Sequence, residues 1–130
     1  MFLFVMKRRL NLDKPCDYNE KVQWLIVNEH GALETRLADK YLVREFVEKK
    51  GYKDILTKLY KVYTSVEEID INELPEQFVL KANNGSGDAQ ICTNKDKFDL
   101  KKAKKILKKS MNGNLSKVSL EYHYAKIKPC

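Results

Sequence analysis

A lysine followed by a glycine-rich loop is the arrangement in this sequence that is best suited to chemistry. The apolar run Phe78–Leu80 leads into Lys81, and Gly85-Ser86-Gly87 follow shortly after. The ammonium supplies a positive charge, and glycines let backbone N–H groups approach oxygens that a Cβ would block. Phosphate binding is therefore one interpretation. The other is a plain β-hairpin whose turn needs glycine and asparagine, and the segment taken alone favours it.

Length and composition describe one globular unit with a basic surface. The chain has 130 residues, of which 43% are hydrophobic and 33% charged. This size supports one modest core, and the composition is that of a folded protein. The formal net charge of +7 is compatible with a nucleotide, a nucleic acid, a polysaccharide or a membrane surface, and it does not choose among them.

Cysteine spacing and the opening residues indicate the compartment. Cys16, Cys92 and Cys130 form no C-x-x-C pair, which argues against a disulfide framework or a structural zinc site. The apolar stretch Met1–Met6 precedes Lys7-Arg8-Arg9, whereas a secretory signal has its basic segment first. No apolar run approaches transmembrane length. We therefore expect a cytoplasmic protein without a transmembrane segment.

Capping signals predict two helices in residues 1–58. Asp17 begins the first, because Glu20 stands where a reciprocal capping box would close. The second is predicted from about Leu37 to Lys50, since apolar residues recur on one face and Gly51 is a typical left-handed terminator. This part of the chain is therefore interpreted as a helical N-terminal segment.

Residues 59–130 are predicted to form a small antiparallel sheet with a packed helix. Leu59–Tyr63 alternates in the manner of a half-buried strand. Gln77–Lys81 and Ala89–Thr93 flank the glycine loop, so we expect them to pair as antiparallel strands. A further strand is permitted within Leu115–Cys130. The predicted fold class is therefore α+β.

A lysine-rich helix is predicted from Asp99 to Ser110. Asp99 can cap it, and Leu100, Ala103 and Leu107 form an apolar stripe. The other face, within residues 101–109, carries Lys101, Lys102, Lys104, Lys105, Lys108 and Lys109. Such a face is usually solvated. The alternative is a docking surface for a polyanion, whose binding would depend strongly on salt.

The common catalytic signatures are absent from the sequence. It contains no G-x-x-x-x-G-K-[ST], no G-x-G-x-x-G and no H-E-x-x-H. His30 and His123 lie far apart, and His30 is interpreted as a solvent-facing residue after the first helix. Cys92 is interpreted as a small buried hydrophobe. We therefore assign no catalytic residue and no metal ligand, and we expect no nucleic-acid partner.

Several short motifs, taken in order, resemble the TupA-like ATP-grasp family. They are Pro15, Tyr18-Asn19-Glu20-Lys21, Trp24-Leu25, Asp39-Lys40, Val43-Arg44, Leu74-Pro75, Phe78 to Gly87, Glu121, Tyr124 and Ile127-Lys128-Pro129. Their order and spacing extend over nearly the whole chain. The resemblance implies a role in bacterial surface-polysaccharide synthesis, such as teichuronopeptide or capsule synthesis, and many relatives carry the label glycosyltransferase.

The resemblance also implies a nucleotide site. Lys40, in an Asp-Lys pair, and Lys81 match lysines that contact nucleotide phosphates in ATP-grasp enzymes. Gly85, Ser86 and Gly87 match the loop that folds over those phosphates. These five residues are the predicted nucleotide-binding set.

Two departures from the family pattern bear on this site. Asn84 stands where the family usually has a histidine, and an amide can form hydrogen bonds but does not ionise near neutral pH. The sequence ends at Pro129-Cys130. In relatives, a second half supplies the adenine-binding hinge and the acidic residues for Mg²⁺. We therefore expect an incomplete N-terminal ATP-grasp-like subdomain that lacks the Mg²⁺ site and binds nucleotide weakly at most.

Two hypotheses for function follow. Full-length relatives are expected to use ATP with Mg²⁺ to activate a carboxylate for ligation to an amine, with a surface-polymer precursor as partner. This chain would be a partial nucleotide-binding half of such an enzyme. The alternative is a non-catalytic basic module that binds a polyanion or a partner protein through residues 101–109.

Overall fold

The structure is a computed structural model that describes residues 2–28, 31–113 and 122–130. In these ranges the chain forms five α-helices, a two-stranded sheet and short 3₁₀ turns. The helices are α1 Phe2–Met6, α2 Tyr18–Asn28, α3 Ala32–Ala38, α4 Val43–Lys49 and α5 Leu100–Asn112, and the strands are β1 Phe78–Leu80 and β2 Gln90–Cys92. The 3₁₀ turns are Lys53–Ile55, Val66–Glu68, Ile71–Glu73, Lys95–Lys97 and Tyr122–Lys126. The predicted α+β class is confirmed.

Strands β1 and β2 form the predicted antiparallel hairpin. Phe78 lies opposite Cys92, Val79 opposite Ile91, and Leu80 opposite Gln90. Because side chains alternate across a strand, Phe78, Leu80 and Cys92 are buried while Val79 and Ile91 are exposed. One face of the hairpin therefore contributes to the core, and the interpretation of Cys92 as a small buried hydrophobe is confirmed.

Helix α5 covers the buried face of the hairpin. Asp99 caps it as predicted, because its Oδ1 accepts a hydrogen bond from the Lys102 backbone N–H at 2.9 Å. Leu107, on its apolar stripe, enters a core cluster that includes Phe78, whose ring meets that of Phe98 edge to face at 5.2 Å. The other buried members of this cluster are Val66, Ile69, Leu74, Leu80 and Cys92.

The predicted strand at Leu59–Tyr63 is wrong. This segment pairs with no strand, and in the described ranges the only ladder joins β1 and β2. Leu59 and Tyr60 remain about half exposed, whereas Tyr63 packs against the core cluster. An alternating pattern also suits an extended segment that lines a cavity, and that is the role these residues have.

The strand permitted within Leu115–Cys130 is also not formed where the tail is described. Residues 122–126 form a 3₁₀ turn, and the Ile127 N–H donates to the Tyr124 carbonyl at 3.3 Å. Ile127 is buried beyond this turn. The rest of the tail, residues 114–121, lies outside the described ranges.

The single helix predicted from Leu37 to Lys50 is not formed: α3 begins earlier, at Ala32, and ends at Ala38, and α4 begins at Val43. Asp39 separates them, because its Oδ1 accepts hydrogen bonds from the N–H groups of Tyr41 and Leu42 at 2.8 and 3.0 Å. These local bonds compete with the helical ladder, as aspartate often does. Gly51 has a φ of +83° after α4, which confirms the predicted left-handed ending.

Helix α2 begins at the predicted cap. Asp17 Oδ1 accepts from the Glu20 N–H at 3.0 Å, while Glu20 Oε2 accepts from the Cys16 N–H at 2.9 Å, one residue before the position that a capping box requires. Glu20 also pairs with Arg8. The interpretation of His30 falls outside the described ranges. No helix within those ranges is long and apolar enough to cross a bilayer.

Candidate nucleotide site

Asn83, directly after Lys81-Ala82, joins three separate segments. Its Nδ2 donates to Asp39 Oδ2 at 3.0 Å and to the Lys128 carbonyl at 2.9 Å. Its Oδ1 accepts from the Cys130 N–H at 2.9 Å. Asn83 and Asp39 are both buried, so these bonds are shielded from water. The amide therefore fixes the Asp39 turn, the glycine loop and the 127–130 segment relative to one another.

Lys40 follows Asp39 and is held directly against the glycine loop. Its backbone N–H donates to the Asn83 carbonyl at 3.2 Å. Its Nζ donates to the same carbonyl at 3.3 Å and to the carbonyl of Gly85. The structure therefore brings together two parts of the predicted set that lie more than forty residues apart in sequence.

Lys81 follows β1 directly and lines the same cavity as Lys40. Burial lowers the pKa of Lys40 below its ordinary value, and the charge of Lys81 lowers it further, while the carboxylates of Asp88 and Asp39 act in the opposite direction. Lys81 is exposed and forms no ion pair with the part of the chain that the structure describes. Two like charges thus line one cavity, one half-buried and one open to solvent. An anion placed between them would relieve their repulsion.

The loop is closed by an aspartate and requires glycine at two positions. Asp88 Oδ2 accepts from the Ala82 N–H at 3.1 Å across the base of the loop. A Cβ on Gly85 would overlap Asp88 Oδ2 and Ser110 Oγ, and Gly87 has a φ of +71°. The backbone at the tip, Ser86 and Gly87, is exposed and donates no hydrogen bond to a described residue.

Asn84 connects the loop to α5. The residue is buried, and its Nδ2 donates to the Met111 carbonyl at 3.3 Å. Its Oδ1 is also buried, and no donor for it exists among the described residues. Through this bond, the Asn84 side chain joins the glycine loop to the last turn of α5.

The two lysines lie on the wall of a cavity of about 520 Å³. Five basic side chains line it and no acidic one does among the described residues: Lys40, Arg44, Lys58, Lys61 and Lys81. Tyr41, Tyr60 and Tyr63 supply large apolar surfaces. One of the five charges is already compensated, because Lys61 pairs with Glu73. The cavity thus combines a cationic wall with aromatic surface, which suits a ligand that is anionic at one end.

Sequence reasoning missed three contributors to this arrangement. Two of them, Asn83 and Asp88, flank the glycines. Asparagine and aspartate commonly form hydrogen bonds with nearby backbone groups, so their presence in this loop could have indicated that they fix its conformation. The third contributor is the cavity lining from residues 57–63, which includes the wrongly predicted strand Leu59–Tyr63.

The lysine face of α5 is partly engaged in packing. Lys108 pairs with Glu67 at 2.6 Å, and Lys104 donates to the Glu67 carbonyl at 3.3 Å. The bond from Lys108, followed by one from Ser65, lowers the pKa of Glu67 to about 2. Docking of a polyanion on residues 101–109 stays a prediction.

These features define an α+β unit in which two lysines line one cavity and the first of them bonds to the glycine loop. A family model described as TupA-like ATPgrasp matches residues 20–130. The chain belongs to this family, and all five predicted nucleotide-binding residues lie within the match. A comparison with curated proteins finds no significant match. A comparison with solved structures finds none either.

Proposed function

We propose that this chain forms the phosphate-binding wall of an ATP-grasp nucleotide site. Lys40, Lys81 and the Gly85-Ser86-Gly87 loop would hold the phosphates of ATP. The observation that carries the proposal is the position of the two lysines on one cavity wall, with Lys40 bonded to a loop whose tip N–H groups donate to no described residue. Family membership supports the same assignment.

The two lysines would have different tasks. Lys81 is exposed and unpaired with described carboxylates, so a phosphate can approach it without breaking a protein contact. Lys40 already donates to the carbonyls of Asn83 and Gly85, and it would orient the loop as well as supply charge. Ser86 and Gly87 would donate N–H groups to phosphate oxygens, as glycine-rich anion sites commonly do.

The cavity supports a nucleotide rather than an inorganic ion as the ligand. Its volume of about 520 Å³ lies within the usual range for small-molecule sites. The side chains of Tyr41, Tyr60 and Tyr63 on its wall could stack against a base. We propose ATP, since the family assignment and the cationic wall favour a triphosphate.

The proposed reaction class is activation of a carboxylate by ATP for ligation to an amine. Mg²⁺ would neutralise phosphate charge in that reaction. In residues 2–28, 31–113 and 122–130, no three or more acidic, histidine or cysteine side chains gather in a way that could hold a metal ion. No ligand for the metal is therefore assigned among these residues.

Isothermal titration with ATP, ADP and adenosine tests the proposal. ATP should bind more tightly than adenosine, because phosphate contacts dominate. Lys81→Ala should weaken ATP binding by roughly tenfold or more, since a hydrogen bond to a charged group contributes about 1.5–3 kcal/mol. Lys105→Ala, which removes an exposed lysine outside the cavity, is the matched control and should leave the affinity unchanged. Equal ATP affinity in Lys81→Ala and the unaltered protein would refute the assignment.

A further inference from the structure

Helix α1 presents apolar side chains to solvent. Leu3, Phe4 and Val5 are 52%, 85% and 67% exposed, and no residue of α1 is buried. A surface helix normally turns a polar face to water, whereas a helix that is apolar all round is normally buried in protein or in contact with a membrane. The outer side of α1 therefore has the character of a contact surface.

The protein holds this helix in a defined orientation. Arg8, just after α1, pairs with the carboxylates of Asp17 and Glu20, and its guanidinium lies 5.2 Å from the centre of the Phe2 ring. Phe2 and Met6, one helical turn apart, are both half-buried. One side of α1 thus faces the protein, and its exposed apolar side faces away.

Two cationic residues follow α1 within three positions in sequence. Lys7 and Arg9 are exposed, and neither forms an ion pair with a described residue. Lys7 has a φ of 53°, and α1 ends directly before it at Met6. Apolar side chains next to lysine and arginine are the combination that binds anionic lipid surfaces, since the former enter the acyl boundary and the latter contact headgroups.

We propose that α1, together with Lys7 and Arg9, docks the protein on an anionic lipid surface. Leu3, Phe4 and Val5 enter the boundary between headgroups and acyl chains, and the helix lies in the plane of the interface. The net charge of +7 adds long-range attraction to the same surface. The docking element precedes the family match at residues 20–130, so it can be altered without changing the proposed nucleotide site.

Co-sedimentation with vesicles tests the apolar contribution. The protein is expected to bind vesicles of phosphatidylcholine with phosphatidylglycerol, and not vesicles of phosphatidylcholine alone. The double variant Leu3→Ser/Phe4→Ser should lower the partition coefficient by about tenfold or more, because both side chains lose apolar burial. Ile91→Ser is the matched control, since it removes a 68% exposed apolar side chain elsewhere and should leave binding unchanged.

A second pair of variants tests the cationic contribution. Lys7→Gln/Arg9→Gln should lower the partition coefficient by about fivefold per residue. Lys101→Gln/Lys102→Gln removes the same charge from the exposed face of α5 and should have a clearly smaller effect. An equal loss in both pairs would assign the binding to overall charge and overturn the proposal. Far-ultraviolet circular dichroism confirms that each variant is folded.

Two further outcomes would overturn the proposal. One is vesicle binding that Leu3→Ser/Phe4→Ser leaves unchanged. The other is a protein that does not bind vesicles but forms a concentration-dependent dimer in sedimentation velocity, provided that Leu3→Ser/Phe4→Ser abolishes this dimer. In that case a second copy of the chain, and not a lipid surface, covers α1.

Discussion

Removal of the Asn83 side chain should destabilise the whole chain. Asn83→Ala deletes the three side-chain hydrogen bonds to Asp39, Lys128 and Cys130. It leaves a buried carboxylate oxygen, a carbonyl and an N–H without these partners. At about 1 kcal/mol for each neutral bond and about 1.5–3 for the bond to the carboxylate, the expected loss is roughly 3–5 kcal/mol. This is a large part of the usual stability of a domain.

Urea unfolding followed by circular dichroism measures this loss. Asn72→Ala is the matched control, because Asn72 is exposed and bonds only locally to Asp70. The control should change the free energy of unfolding by less than about 0.5 kcal/mol. If Asn83→Ala costs no more than Asn72→Ala, the reasoning that this amide fixes three segments is refuted.

Three further predictions concern the loop, acid stability and the pH dependence of binding. Gly85→Ala should cost about 1–3 kcal/mol in urea unfolding, because its Cβ would overlap Asp88 and Ser110, and a neutral outcome would contradict the described packing. The pKa of Glu67 is lowered to about 2, so its carboxylate stabilises the fold above the unfolded pKa near 4.5, and this contribution is lost as the pH falls from 4.5 to 2. In Glu67→Gln the free energy of unfolding should therefore decline less over this pH range, and added salt should reduce the difference between variant and unaltered protein. ATP affinity should fall as the pH rises through the lowered pKa of Lys40, because phosphates favour the charged lysine. Lys40→Arg stays charged and should remove that fall, so the same pH profile in the variant and the unaltered protein would exclude Lys40 from the site.

The hairpin and α5 were predictable from sequence because their signals are local. Alternation defines the buried face of β1, and Asp99 caps α5 by a bond to a residue three positions away. The contact between Lys40 and Gly85 is of another kind, since the two residues are 45 positions apart. Only the family resemblance placed them in one site, because periodicity contains no information about contacts between distant segments.

The errors have physical causes that single-sequence patterns do not contain. Leu59–Tyr63 alternates like a strand, but a strand also needs a neighbour with free backbone groups, and its described neighbours form a cavity instead. Asp39 falls inside the helix that the sequence predicts from about Leu37 to Lys50. Its carboxylate instead receives the N–H groups of Tyr41 and Leu42 together with the amide of Asn83, and that last partner is a tertiary contact.

The most direct test of the central claim is a map of amide chemical shifts during an ATP titration. The N–H resonances of Ser86 and Gly87 should move with ATP and stay in place with adenosine, because their donors would meet phosphate oxygens. In Lys81→Ala the same resonances should move only at much higher ATP concentrations. If ATP instead shifts resonances of residues 101–109 and leaves those of the loop unchanged, the phosphate site does not lie between the two lysines and the account is contradicted.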